Sequence, residues 1–487
     1  MSYISFSYYV FLLLLVGLYY VLPKKIRWLV LLAGSACFYY LLVDRRRRLV
    51  LFAGSVLFSY LWGLLLGKQR RDGRIGTRIK KLTLAVGILV SCGPLLCFRL
   101  ADFFPDRVPG GSFLATLIPI GLAFYSMQMI AYLADIWQGK IEPEKNILKY
   151  SLFVSFFPLI IQGPISRFRQ LEHQLIEGHS FEWENLMRGI QLIIWGFFLK
   201  YMIADRAAVI VNEVFDHSQF YSGFFILIAA VLYSIQLYTD FLSCVTLSQG
   251  AAWLFGIEVI DNFNHPYFAS SVREFWRRWH MSFSSWLRDY VYIPLGGNRK
   301  GTWSRYLNLT LTFAVSGLWH GGGWNYLCWG LLHAGYQIAG ELTSKMKNTF
   351  LKSVKLPENS KVRKFLEICI TFFLVTVGWI LFRAQNLKTG LQMIRSMFAA
   401  CNPWVLFDDS LFRMGLSQKE WEVFFLSVLV LIFVSYAQER GVKLCQWFQG
   451  QNLVIRWSIY LCAIWSIWIF GTYGFGFSAQ DFIYGGF

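Results

Sequence analysis

The chain has 487 residues, of which 56% are hydrophobic and 15% are charged, and its formal net charge is +18. Soluble globular proteins carry about 25% charged residues, so this composition excludes an ordinary soluble enzyme. The basic clusters lie beside apolar segments, which suits anionic lipid headgroups or an anionic substrate. We therefore expect membrane lipid as a partner and no nucleic acid.

Long apolar runs recur along the chain, and a membrane-spanning helix needs about 20 such residues. The long runs cover residues 4–22, 49–67, 82–100, 113–134, 186–203, 224–242, 365–382 and 453–470. Shorter runs cover residues 28–43, 148–161, 245–260 and 421–436. We predict an all-α, polytopic membrane protein in which about ten to thirteen embedded helices form one domain over residues 1–487. The first run has no basic residues before it, so it is typical of a first span rather than a signal peptide.

Charged loops give a partial topology. Residues 68–81 carry seven basic side chains, and residues 344–364 carry six Lys and one Arg. The positive-inside rule places both loops in the cytoplasm. The four arginines at residues 45–48 conflict with simple alternation, so either the rule is broken there or one early apolar segment does not cross. The nine cysteines show no metal or disulfide spacing, so we expect no bound metal.

Residues 273–290 form an amphipathic pattern when they are placed on one continuous helix at about 100° per residue. One face is an aromatic stripe of Trp276, Trp279, Phe283, Trp286 and Tyr290. Arg277, Arg278 and Arg288 lie on the far side. This pattern is typical of a helix in the membrane interface, either as a simple anchor or as part of a site. Pro294 and the glycines at 296 and 297 predict its end.

Two histidines stand out near these elements. His280 lies at the edge of the aromatic face, where a hydrogen-bonded structural histidine is the alternative to a functional one. His320 ends the first half of an apolar stretch, residues 306–339, that the segment 319–325 (WHGGGWN) interrupts. An ionisable group inside the membrane is costly, so His320 is a functional candidate by default. His333, on the following helix, is either a buried bonded histidine or a substrate ligand.

Other polar residues fall inside apolar runs, where bonding between helices and the lining of a cavity are the two interpretations. They are Asp135, Gln162, Gln236, Asp240 and Gln249. Residues 126–128 and 162–167 indicate kinks or a re-entrant turn.

Several segments together resemble the membrane-bound O-acyltransferase family: residues 262–267, 275–290, 294–301, 318–322 and 329–333. The similarity covers nearly the whole chain and is closest to the branch of alginate O-acetyltransferases and other polysaccharide acetylation proteins. Phe6, Trp28 and residues 481–484 are also similar to that branch. The branch that transfers D-alanine to teichoic acid shares both histidine motifs but is less similar at the N-terminus.

The resemblance implies that His320 is the essential catalytic histidine and that His280 is a second one. It implies a ring of helices around a central funnel, with interfacial and re-entrant helices. The donor would be an acyl thioester, acetyl-coenzyme A or an acyl carrier, with no bound cofactor. We expect substrate binding by a set of five residues: Asn262, Trp276, Trp319, His333 and Arg278.

The sequence thus favours an acetyltransferase of the bacterial cell membrane that acts on an extracytoplasmic, alginate-type polysaccharide through an exported or membrane-anchored partner. His320 would act as general base on the accepting hydroxyl. Arg277, Arg278, Arg299 and Lys300 would steer an anionic donor. The alternatives are D-alanyl transfer from an acyl-carrier protein, a polytopic transporter and a structural scaffold.

Overall fold

The structure is a computed structural model that describes residues 2–43, 45–72, 74–103, 119–357, 359–473 and 482. Its regular structure is helical, and these residues include no strand. The helices in chain order are α1 (Phe6–Val21), α2 (Arg27–Leu42), α3 (Arg46–Arg71), α4 (Thr77–Phe103), α5 (Leu122–Gln138), α6 (Ile147–Ser155), α7 (Phe168–Glu177), α8 (Trp183–Phe197), α9 (Asp205–Asp216), α10 (Phe224–Trp253), α11 (Val272–Arg278), α12 (Met281–Leu287), α13 (Thr302–His320), α14 (Trp324–Leu342), α15 (Ser344–Ser353), α16 (Lys361–Arg383), α17 (Leu387–Ala399), α18 (Gln418–Glu439), α19 (Leu444–Gln449) and α20 (Leu453–Phe470). Two π-helical segments, Phe198–Ala204 and Arg288–Tyr292, continue α8 and α12.

Seven helices in the described part of the chain are long and apolar enough to cross a membrane. They are Lys24–Leu42, Arg46–Arg71, Thr77–Ala101, Phe224–Trp253, Lys361–Arg383, Gln418–Glu439 and Leu453–Phe470. Helix α1 is apolar but shorter. The all-α, polytopic membrane fold is therefore confirmed, and the protein is a multi-pass membrane protein. Of the predicted run 113–134, residues 113–118 lie outside the described residues, as do all residues of the 481–484 motif except Phe482.

Backbone contacts divide the chain into two compact units. The first comprises the described residues of Met1–Ile193 and Cys244–Asp261, and the second those of Ile194–Ser243 and Asn262–Ile483. In the first unit, Tyr3, Tyr8, Phe38 and Phe157 form a buried aromatic cluster with ring centroids 5.2–6.3 Å apart. Such rings contribute most of their stability by contact area.

Two predictions about irregular backbone in the first unit have different outcomes. Residues 156–167, around Gln162, are buried and non-helical, as a re-entrant turn requires. Backbone of this kind is tolerated at membrane depth where it faces protein. The kink predicted at residues 126–128 is wrong, because α5 passes through them without interruption and the Ser126 hydroxyl donates to the Ala123 carbonyl inside the helix.

The second unit contains a tight pair of antiparallel helices, α13 and α14. A Cβ atom added to Gly330 would lie 2.2 Å from the Phe313 carbonyl oxygen, and one added to Gly317 would lie 2.4 Å from that of Tyr326. Glycine at both positions therefore lets the two backbones touch, as small residues do in membrane helix pairs. The interruption predicted between these helices is confirmed, since residues 321–323 are non-helical.

Replacement of Gly330 by Ala should separate α13 from α14. Overpacking of this kind costs about 1–3 kcal/mol, so the thermal unfolding midpoint in detergent should fall. Gly335→Ala on the same helix is the matched control, since a Cβ there meets nothing within 4 Å. We expect the control to leave the midpoint unchanged or higher, since Ala is a better helix former than Gly. Equal midpoints for both variants would contradict the close crossing.

Candidate active site

The segment that carries His280 is not the continuous helix predicted over residues 273–290. It breaks between α11 and α12 at His280, whose backbone is left-handed, with φ 44°. The Asn264 amide donates to the Arg278 carbonyl, and the Met281 amide donates to the Asn262 carbonyl, each at 2.9 Å. These bonds to a neighbouring segment replace bonds that a continuous helix would make, and a helical pattern in the sequence does not show them.

The aromatic stripe on this segment packs inside the protein. The side chains of Trp276, Trp279, Phe283 and Trp286 are all buried. This face therefore contacts protein, and not lipid as the interfacial interpretation required. Its burial brings His280 into the interior of the second unit.

A hydrogen bond to Asn262 orients the His280 ring. Nδ1 of His280 lies 3.0 Å from Oδ1 of Asn262, and the same oxygen accepts from the backbone amide of Ser282 at 3.2 Å and from its hydroxyl at 2.8 Å. Because an amide N–H can only donate, the Asn262 atom is its oxygen, and Nδ1 of His280 must carry a proton. The lone pair of the neutral ring is then on Nε2, which is buried and has no hydrogen-bond partner in the described part of the chain.

Burial also keeps the His280 ring neutral. The residue is 1% exposed, and desolvation lowers its pKa to about 3. A charged imidazolium would lose its hydration there, so the neutral base is favoured at all physiological pH values. The ring therefore has an available lone pair, which is what a proton acceptor or a hydrogen-bond acceptor for substrate needs.

His320 shares its aromatic surroundings with His280. It is the last residue of α13 and is 2% exposed. The centroid of its ring lies 5.1 Å from that of the Trp329 ring and 5.2 Å from that of the Phe382 ring. Phe283 contacts both histidines, at 4.9 Å from His280 and 5.5 Å from His320. Trp319 also contacts both, at 6.1 Å and 4.7 Å. The two predicted catalytic histidines thus contact the same two rings.

His333 belongs to the same cluster through Trp276. The indole N–H of Trp276 donates to Nδ1 of His333 at 3.2 Å, and the Trp329 ring lies 5.2 Å from the His333 ring. The proton of His333 is therefore on Nε2, and a Cβ added to Gly378 would lie 3.0 Å from that atom. His333 and Trp276 therefore pack behind the Trp329 ring, which contacts His320.

Arg278 differs from the other predicted site residues, because its side chain is in an ion-pair network. It binds Glu274 at 2.7 Å and both carboxylate oxygens of Glu439 at 2.8 and 3.0 Å. Two-point Arg–carboxylate pairs are strong and directional, so this contact ties α11 to the end of α18. The structure thus brings together the predicted site residues other than Arg278: His280, His320, His333, Asn262, Trp276 and Trp319.

Comparison with known proteins adds to this geometry. A sequence profile for the membrane-bound O-acyltransferase family matches residues 141–375. The chain is 34% identical over 400 residues to the probable alginate O-acetylase of Pseudomonas putida, an alignment that covers 80% of this chain and 79% of that protein. The chain belongs to the membrane-bound O-acyltransferase family. It is therefore an O-acyltransferase.

Two further relatives of this O-acyltransferase carry other names. The peptidoglycan O-acetyltransferase of Helicobacter pylori is 32% identical over 349 residues, which is 65% of each chain. The teichoic acid D-alanyltransferase of Bacillus subtilis is 26% identical over 320 residues, which is 61% of this chain and 77% of that protein. The family resemblance in the sequence is thereby confirmed.

The sequence did not single out one charged cluster in this O-acyltransferase. Lys200, in the π-helical segment after α8, binds Asp240 at 2.7 Å and Asp205 at 2.9 Å. The side chains of Lys200, Asp240 and Asp205 are 1%, 3% and 13% exposed, respectively. Asp240 was identified from the sequence among the polar residues in apolar runs. The partner of Asp240, Lys200, was not identified, although it lies inside the apolar run 186–203. A lysine inside such a run, with a nearby acid, is the signal that would have found this cluster.

Replacement of Lys200 by Met should leave two buried carboxylates without their cation. Loss of one partner of a buried pair costs about 3–5 kcal/mol, so this variant should unfold at a clearly lower temperature in detergent. The control is Arg273→Met, which removes the more exposed Arg273–Glu341 pair. Exposed pairs contribute about 0–1 kcal/mol, so the unfolding temperature of the control should be close to that of the wild type. Similar losses for both variants would contradict a special role for the buried cluster.

The His280 tautomer can be measured directly in the O-acyltransferase. With its folded pKa at about 3 and an unfolded value of about 6.5, the folded ring stays neutral from pH 8 to pH 5, with the proton on Nδ1. Acid therefore favours the unfolded state, by about 1.4 kcal/mol per pH unit below pH 6.5. Solid-state NMR of ¹⁵N-histidine protein in lipid should show a non-protonated Nε2 throughout, with His280→Gln used to assign the signal. An imidazolium signal near pH 6 would contradict this assignment.

Proposed function

We propose that this O-acyltransferase moves an acetyl group from a cytoplasmic thioester to hydroxyls of an extracytoplasmic, alginate-type polysaccharide. The observation that carries the proposal is the pairing of His320 with a neutral His280, whose Nε2 lone pair is available, in one buried cluster. The identity to a probable alginate O-acetylase and to a peptidoglycan O-acetyltransferase supports acetyl as the group and polysaccharide as the acceptor.

The chemistry needs one proton acceptor and one place for the leaving group. The accepting hydroxyl oxygen attacks the thioester carbonyl carbon, and the carbon–sulfur bond breaks. His320 takes the hydroxyl proton and passes it to the departing thiolate, so that the enzyme returns to its starting state. A positioned base of this kind contributes about 10²- to 10⁴-fold in rate. Nε2 of His280 accepts a hydrogen bond from the hydroxyl and holds it in line, because Asn262 fixes the His280 ring.

Water exclusion follows from the same packing. His280 and His320 are 1% and 2% exposed, so their rings meet protein and not solvent in this state. A dry site strengthens the hydrogen bonds made to developing charge and keeps water from hydrolysing the thioester. The substrates then reach the histidines when rings of the wall, such as Phe283 and Trp319, move apart.

Basic residues on the surface of the second unit would attract the anionic donor. Arg277, Arg299 and Lys300 are exposed, whereas Arg278 is held by two carboxylates. Long-range attraction of this kind raises the rate of encounter and weakens as salt screens it. The donor is acetyl-coenzyme A or an acyl carrier, and an exported or membrane-anchored partner in a bacterial cell membrane completes transfer to the glycan.

D-alanyl transfer to teichoic acid is the second candidate, since a named relative carries out that reaction. Its identity to this chain is 26%, compared with 34% for the alginate O-acetylase, which favours acetyl. The two candidates differ in the donor. Purified protein incubated with labelled acetyl-coenzyme A, or with a D-alanyl carrier protein, should release label only from the thioester that it uses.

Replacement of His320 by Ala should abolish transfer of labelled acetyl from the donor in membranes or purified protein, because the proton acceptor is gone. The variant should still insert and fold, at a lower unfolding temperature because the substitution leaves a cavity among the surrounding rings. His173→Ala is the matched control, since that side chain is 77% exposed and should retain full activity. Full activity in the His320→Ala protein would remove this residue from the mechanism. Activity retained in neither variant would point to damage unrelated to the site.

A further inference from the structure

An apolar groove lies in the second unit, away from the two catalytic histidines. It has a volume of about 250 Å³, and the side chains that line it are almost all aromatic or aliphatic. Its walls and floor include Ile235, Tyr238, Tyr267, Phe372, Val428 and Leu431. Pockets for drug-sized ligands hold about 300–1,000 Å³, so this groove is too small and too apolar for a coenzyme A thioester. It fits a narrow apolar group.

The surroundings of the groove indicate which apolar group can enter it. Its walls come from α10, α16 and α18, three of the helices that are long and apolar enough to cross the membrane. Ile432, which also lines it, is 49% exposed, so the groove is open at the surface of the protein. The medium at the surface of such helices is the hydrocarbon of the bilayer. Acyl chains are therefore the apolar groups that meet this opening.

His265 marks the end of the groove that lies nearer the headgroups. His265 lines it, and the Nδ1 atom of His265 is buried and makes no hydrogen bond within the described residues. Burial lowers the pKa of His265, so the ring is neutral at neutral pH. The charges of Glu439 and Arg278 act on this ring, and α18 ends at Glu439. Charged side chains mark the depth at which a span reaches the headgroups, so His265 lies near that depth.

We propose that this groove binds one acyl chain of a membrane phospholipid, with the headgroup end of the chain toward His265. From Ser435 to Val428, both of which line the groove, α18 covers about 10 Å, which corresponds to the upper part of an acyl chain. A chain that moves from bulk lipid into the groove gains no hydrophobic free energy. The shape of the groove therefore sets the preference of the chain for this place.

The groove has a physical link to the catalytic cluster. The floor residues Tyr238 and Tyr267 contact the ring of Trp279 at 6.1 and 6.2 Å, and Trp279 directly precedes His280. A bound chain therefore supports the back of the segment that positions His280. The proposal goes beyond acyl transfer and does not depend on which donor or acceptor the enzyme uses.

The test uses the full-length protein in vesicles that contain phosphatidylethanolamine with a diazirine in one acyl chain. After irradiation, peptide mapping by mass spectrometry should place adducts on the segments 265–268 and 428–435. Val428→Phe fills the groove and should lower these adducts at least fivefold. Val430→Phe is the matched control, since it makes the same change on the same helix at a residue that does not line the groove, and its adducts should equal those of the wild type.

Three outcomes would overturn the proposal. Adducts of equal yield in both variants would show that no chain occupies the groove, and adducts spread evenly over α20 and the other exposed spans would show surface lipid only. Adducts on segments 265–268 and 428–435 that fall as the protein-to-lipid ratio rises would assign the groove to a second protomer. If Val428→Phe does not insert, Ser435→Leu fills the opposite end and should give the same loss. Unlike this labelling, the acetyl-transfer assay reports on the proposed function, so the two can fail separately.

Discussion

The hydrogen bond from Nδ1 of His280 to Oδ1 of Asn262 decides which nitrogen of a buried ring is basic. It can form only because the chain leaves the helix at residue 280 and pairs its backbone with residues 262–264. A second pair of bonds from Ser282 prevents the Asn262 amide from turning over. Without these contacts either ring nitrogen could carry the proton. The backbone break is thus what fixes the tautomer of the His280 ring.

The site also illustrates how aromatic packing and ionisable groups coexist. Three histidines of the second unit, His280, His320 and His333, are nearly inaccessible. Each is surrounded by rings of Trp or Phe, and a neutral imidazole is similar enough to those rings to pack with them. Burial opposes a lasting positive charge on His280, whose pKa it lowers to about 3. Under the proposed mechanism, the proton that His320 takes from the hydroxyl is passed to the leaving thiolate, so the transfer makes no net proton change.

Much of this architecture could be predicted from the sequence, and the exceptions have physical causes. The helical, multi-pass fold followed from apolar runs, and the break after His320 followed from three successive glycines. The continuous helix over residues 273–290 was wrong because its periodicity does not encode the backbone partner at residues 262–264. The burial of the Trp276 face was missed because an aromatic stripe looks the same whether it meets lipid or protein. Lys200 was missed because one cation in an apolar run has meaning only once its acids are located.

The Lys200 cluster also constrains how the protein is made. Lys200 and Asp240 are 40 residues apart in the chain, and their side chains meet at 2.7 Å. Alone at the centre of a helix in lipid, either charge costs about 2.5–3.5 kcal/mol to insert. During synthesis the lysine emerges first and has no acid from α10 to meet. Asp205, which binds Lys200 at 2.9 Å, is made together with the lysine, whereas Asp240 is made later. The segment around Lys200 therefore gains its full stability in the bilayer only after α10 has been translated.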